Sequence, residues 1–137
     1  MIQERIEQKR GRILEYVRLL RTLQDDCLER FDSDPLYRGA LLHYLYLMAD
    51  SCISLAELTI KYKGLRPPQT YAETFDILGA NGLLDPDFAY SFARIAGFRN
   101  LLAHDYENLD GRQICKSLLS GLEEVERYVS ELKHLTS

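Results

Sequence analysis

This sequence has few means of cross-linking itself or of holding a metal. Its 137 residues include three cysteines, Cys27, Cys52 and Cys115, widely spaced and without a CxxC pair. An odd number at such spacing argues against a disulfide framework and against a zinc site. Each cysteine has apolar neighbours at helical spacing, so all three are expected as small buried hydrophobes. There is no HExxH and no carboxylate–histidine cluster to ligate a metal. A P-loop and a GxGxxG are missing too, as are a GxSxG elbow and a Cys/His nucleophile pair. The β-branched alternation that paired strands need is not found. No apolar run reads as long enough to span a bilayer. The opening MIQERIEQKRGR is charged and lacks the apolar centre of a signal peptide. The expectation is a cytoplasmic protein without membrane attachment.

Basic charge is also in short supply. Seventeen Lys and Arg stand against 21 Asp and Glu, for a net charge of −4. Sequence-blind nucleic-acid binding over a broad surface usually needs a basic face. An RNA would have to be gripped by a few arginines in a local cleft. What is present is 46% hydrophobic and 28% charged, a globular balance. The length suits one domain with its own core, so residues 1–137 are read as a single helical domain.

Five helical segments are expected. The first runs from about Ile2 to Phe31, with Ile6, Ile13, Val17, Leu20 and Cys27 on one stripe. Asp34 caps the second, with Pro35 at its first position. That segment reaches about Lys63 and buries Leu41, Leu45, Met48, Cys52, Leu55 and Thr59. Leu42, Tyr46, Leu47, Ile53 and Leu58 widen its apolar surface, which predicts cover on more than one side. A narrow polar line of His43, Asp50, Ser54 and Glu57 runs opposite. Thr70 and Glu73 match a capping box for a short third helix, which GANG closes. The fourth segment runs from about Asp87 to His104 and the fifth from about Asp110 to Leu135. Short connections favour antiparallel neighbours, so the expected fold is all-α, an up-and-down bundle of four or five helices.

The fourth segment carries an anomaly. Phe88, Phe92, Ile95 and Leu102 define its apolar face, and Arg99 falls in the middle of it. A guanidinium there costs several kcal/mol, in rough terms, unless it is paired or opens to water. Two explanations stand: a structural ion pair, for example with Asp50, or a cleft in which the arginine awaits an anion. Ala89, Ala93, Ala96, Gly97, Asn100 and His104 line a neighbouring face. That face packs either within the chain or against a second copy across a two-fold axis. Asn100 and His104 are four apart, so Asn100 is placed to orient the imidazole. Tyr106 falls on the arginine side if helical geometry continues. Arginine plus histidine without a carboxylate cluster suits RNA cleavage through the 2′-hydroxyl. His104 would serve as general base and Arg99 would hold the phosphate, with no metal required.

The stretch from Arg99 to Tyr106, RNLLAHDY, resembles the R-x4-6-H motif of HEPN ribonucleases in its HepT form, R-N-x-x-x-H-x-Y. The LYLMADSCISLAEL helix, the PPQTYAETFDIL segment and the phenylalanine-rich run before Arg99 fit the same family. The resemblance implies a HEPN-like helical fold and a metal-independent endoribonuclease without a cofactor. It implies the toxin of a type VII-like toxin–antitoxin pair, working as a homodimer with its active site at the interface. It also implies a partner antitoxin, a minimal nucleotidyltransferase of the MntA kind, that silences the toxin by AMPylation. Carried onto this sequence, Arg99 and His104 become catalytic, Asn100 supporting and Tyr106 the modified tyrosine. Asp50 matches an acidic position in the second helix that would support Arg99.

Plainer readings stand beside these. His43 fits a surface histidine, and His134 lies near the C-terminus. Most of the nine tyrosines, Tyr44 and Tyr128 among them, fit as packing residues with a polar tip. Arg66 fits a loop arginine, although it also stands where an RNA groove would run. The main rival function is a non-catalytic HEPN module that binds a nucleotide or substrate for a nucleotidyltransferase, a reading the acidic net charge favours. A purely structural helical dimer would leave Arg99 without a purpose.

Overall fold

A computed structural model describes residues 1–133. Seven α-helices follow one another: α1 (Ile2–Leu23), α2 (Cys27–Arg30), α3 (Pro35–Tyr62), α4 (Tyr71–Ala80), α5 (Pro86–Phe92), α6 (Ile95–His104) and α7 (Gly111–Glu131). The described residues contain no strand. The five expected segments are all there, but the first and fourth are each broken in two. Gln24 to Asp26 interrupt the first, and the Asp26 carboxylate accepts from Arg30. Ala93 and Arg94 form a turn in the fourth, with the Ala96 amide bonding back three residues to Ala93. The expected end of the last segment, and His134, lie outside the described residues.

The helix starts follow their side-chain chemistry. Asp34 accepts from the Tyr37 amide at 3.1 Å, Thr70 from Glu73 at 3.2 Å, Asp85 from Phe88 at 3.0 Å and Asp110 from Arg112 at 3.1 Å. Pro35 and Pro86 occupy first-turn positions where a missing N–H costs nothing. Gly64, with φ of 67°, takes the chain out of α3 in a conformation that favours glycine.

Helix α3 is the centre of the fold, with α1, α4 and α6 packed on it. By length and composition it would cross a membrane, contrary to the expectation that no run is long enough. The chain's own helices supply its cover, and 56% of its apolar window is buried. An aromatic cluster then locks α4, α5 and α7 together. Tyr128 is fully buried, stacks on Phe92 at 4.7 Å between centroids and meets Phe75 edge-on at 5.7 Å. Its hydroxyl donates to the Cys52 carbonyl of α3 at 2.8 Å. Gly79 lets α4 approach α5, because a Cβ there would stand 2.8 Å from the Ala89 Cβ.

The cysteines need correcting. Cys27 and Cys115 form a disulfide between α2 and α7, with Cα atoms 5.6 Å apart. They are 88 residues apart in sequence, so local spacing carried no sign of the pair. Only Cys52 is the buried free thiol expected, and burial pushes its pKa up. Reducing the bridge is expected to lower unfolding free energy by about 2–4 kcal/mol, because a long loop regains its freedom. Urea titrations with and without a dithiol reductant check this, with Cys27→Ser/Cys115→Ser insensitive to the reductant.

Candidate functional site

The break before α6 sets this helix against α3 in its own register. Ile95, Ala96 and Leu102 face the core, and Arg99 falls between them on the helix surface. The Arg99 side chain is 17% exposed, so its charge needs partners, and three elements supply them. Its Nε donates to Asp50 Oδ1 at 3.1 Å and one Nη to the Tyr46 hydroxyl at 3.3 Å, both on α3. The other Nη donates to Asn100 Oδ1 at 3.2 Å. The guanidinium carbon stands 5.3 Å from the ring centroids of both Tyr46 and Tyr71, the latter at the start of α4. Burial alone would lower the pKa of Arg99. The hydrogen bond to Asp50, the charge of Asp50 and the neighbouring Tyr46 and Tyr71 outweigh it and hold the pKa above its ordinary value. The side chain is thus a permanent, positioned cation.

A guanidinium has five N–H donors. Three are used here, which leaves one on each Nη. Those two remaining donors match two oxygens of a phosphate. Of the two readings of the apolar-face arginine, the ion pair with Asp50 is present, and it fixes the group.

His104 is the last residue of α6 and is exposed. Asn100 does not orient the imidazole, as its spacing suggested. Its amide oxygen turns to the guanidinium, a charged and therefore stronger donor. Tyr106 departs from expectation as well. The α-helix ends at His104, Asp105 takes φ of −144°, and Tyr106 opens a short 3-10 turn to Asn108. Tyr106 is 55% exposed there, beyond the end of the helix instead of on its arginine side. The face of small residues is divided too. Ala89 and Ala96 are buried within the chain, while Gly97, Asn100 and His104 stay open.

Sequence reasoning had not assigned Tyr46 and Tyr71 to this site. Tyr46 precedes Asp50 by four residues, one helical turn, and that spacing was the available signal. Tyr71 is brought in only by the docking of α4. On the same face of α3, partial burial and the charge of Asp50 raise the pKa of Glu57. His43 is exposed, with its ring 5.6 Å from that of Tyr44. Arg66 is engaged by Glu73 and not by the site. Among the described residues, no three His, Cys, Asp or Glu side chains are grouped to hold a metal.

An all-α chain with a fixed arginine and an open histidine at the end of one helix has the outline of a HEPN domain. Residues 13–132 match the model of the family described as Ribonuclease HepT-like, so the chain belongs to that family. The mRNA nuclease HepT of Shewanella oneidensis is 23% identical over 104 residues, covering 76% of this chain and 78% of that one. The tRNA nuclease HepT of Aphanizomenon flos-aquae is 25% identical over 123 residues, covering 89% and 81%. Among solved structures, the tri-AMPylated Shewanella oneidensis HEPN toxin in complex with its MNT antitoxin is similar. It superposes with a TM-score of 0.83 at 22% identity, over 93% of this chain and 96% of that one. YutE from Bacillus subtilis, a cytosolic protein of unknown function, shares the fold with a TM-score of 0.83 at 15% identity, over 96% and 88%.

A double-mutant cycle on Asp50→Ala and Arg99→Ala is expected to give a coupling energy of about 1 kcal/mol, between surface and buried pairs. Chemical denaturation of the four proteins measures it, and additive effects would show that the contact adds no stability.

Proposed function

We propose that this chain is the toxin of a type VII-like toxin–antitoxin pair and cleaves RNA without a metal. The observation that carries the reading is a largely buried guanidinium fixed by Asp50, Tyr46 and Asn100, with one N–H on each Nη left without a partner in the chain. An open imidazole ends the same helix. Arg99 binds the scissile phosphate and offsets the charge that builds on it in the transition state. His104 takes the proton of the 2′-hydroxyl, whose oxygen attacks the phosphorus and expels the 5′-oxygen, which takes a proton from water as it leaves. The products are a 2′,3′-cyclic phosphate and a free 5′-hydroxyl. Asp50 and Asn100 support Arg99.

Two copies work together in this reading, with the open side of α6 at their seam. Gly97 has open space around it and Leu101 is 42% exposed, which leaves room and apolar surface for a symmetry mate. The antitoxin is a nucleotidyltransferase of the MntA kind, and Tyr106 is the residue it AMPylates in the cytoplasm. The exposure of Tyr106 on a short turn supports this, because an incoming nucleotide reaches its hydroxyl without unfolding the helix. The added phosphate places negative charge beside the phosphate site and repels RNA.

The test is purified protein with RNA in the presence of EDTA. The parent is expected to give 2′,3′-cyclic phosphate ends. His104→Ala and Arg99→Ala keep their fold and lose cleavage by at least about 100-fold. Cleavage that survives in both variants, or that requires added divalent metal, overturns the mechanism. Binding of RNA or nucleotide without cleavage would favour the binding-module reading instead. With the cognate nucleotidyltransferase and ATP, Tyr106→Phe is expected to keep cleaving while the parent is silenced.

A further inference from the structure

Beside Arg99 lies a pocket with no part in the chemistry described above. Glu57 of α3, Pro68, Gln69 and Thr70 of the loop before α4, and Tyr71 line it. Its volume is about 280 Å³, near the small end of ligand pockets. Tyr71 belongs to both places. Its ring centroid is 5.3 Å from the Arg99 guanidinium carbon, it forms a wall of the pocket, and it is 41% exposed.

The lining determines what enters. It holds one carboxylate and no lysine or arginine, so a phosphate is disfavoured there. A flat, uncharged group with polar edges fits the remainder: an aromatic ring, a proline, an amide and a hydroxyl. The Thr70 hydroxyl is committed to capping α4. Among the described residues, the side-chain amide of Gln69 makes no hydrogen bond and keeps both its donor and its acceptor. That is the chemistry by which single-stranded RNA is read, with bases stacked on aromatic side chains and their edges met by polar groups.

The geometry points to a base-binding subsite. One unpaired base next to the phosphate held by Arg99 stacks on Tyr71, and Gln69 and Glu57 meet its edge. This rests on the RNA-cleaving reading above and adds a source of sequence preference to it. Tyr71 ties the two functions together, since the ring that receives the base also borders the cation that receives the phosphate. A strand seated on Arg99 thereby presents its neighbouring base to the pocket.

The experiment uses fluorescence anisotropy with 2′-O-methyl homopolymers of A, C, G and U, which bind but cannot supply the attacking hydroxyl. Cleavage of a natural single-stranded RNA is followed in parallel. The parent is expected to prefer one base. Tyr71→Ala should weaken binding and raise KM by about tenfold, with a smaller change in kcat, and Tyr71→Phe should restore both. Gln69→Ala, whose side chain does not touch Arg99, should flatten the base preference by lowering kcat/KM on the preferred base toward the values of the others. If the parent cleaves RNA, but Tyr71→Ala keeps its KM and Gln69→Ala its preference, the subsite is wrong and the nuclease reading stands. If the parent neither binds nor cleaves any RNA, both readings fall together.

Discussion

A positive charge drawn partly out of water must be answered by its surroundings, and in this protein the answer organises one side of the fold. Asp50 and Tyr46 lie one turn apart on the central helix, and Tyr71 arrives with the start of α4. The turn at Ala93 and Arg94 sets α6 so that Arg99 meets all three. None of these groups alone would hold a guanidinium at this depth. Together they fix its direction and leave its far edge open, which is the state an anion-binding group requires before the anion arrives.

The rest of the motif is built differently. Arg99 is wedged against the core, whereas His104 and Tyr106 stand at the open end of α6 and on the turn beyond it. The guanidinium is therefore fixed by packing within the chain, while His104 and Tyr106 are exposed. The aromatic cluster of Phe75, Phe92 and Tyr128 joins α4, α5 and α7 and includes neither residue.

What the sequence made legible follows the range of the interactions. Helix starts at Asp34, Thr70, Asp85 and Asp110 depend on neighbours three residues away, and they were readable. The apolar stripes were readable for the same reason. The conflict between Arg99 and its apolar surroundings was also readable, and Asp50, named as an ion-pair partner, is paired with it in the structure. The roles of Tyr71 and of the Cys27–Cys115 bridge were not legible, because each depends on helices that meet only in the folded chain. The side to which Asn100 turns was missed for a subtler reason. Helical spacing gives equal access to residues before and after, and the stronger donor decided between them.

The bridge from α2 to α7 has a topological consequence. It closes residues 27–115 into a covalent ring that contains α3 to α6 and every residue of the site. A protease that cuts a loop inside this ring opens the ring without releasing a fragment. The two pieces stay tethered near each other and can hold the same packing, so a nicked molecule keeps its mass until a reductant separates its halves.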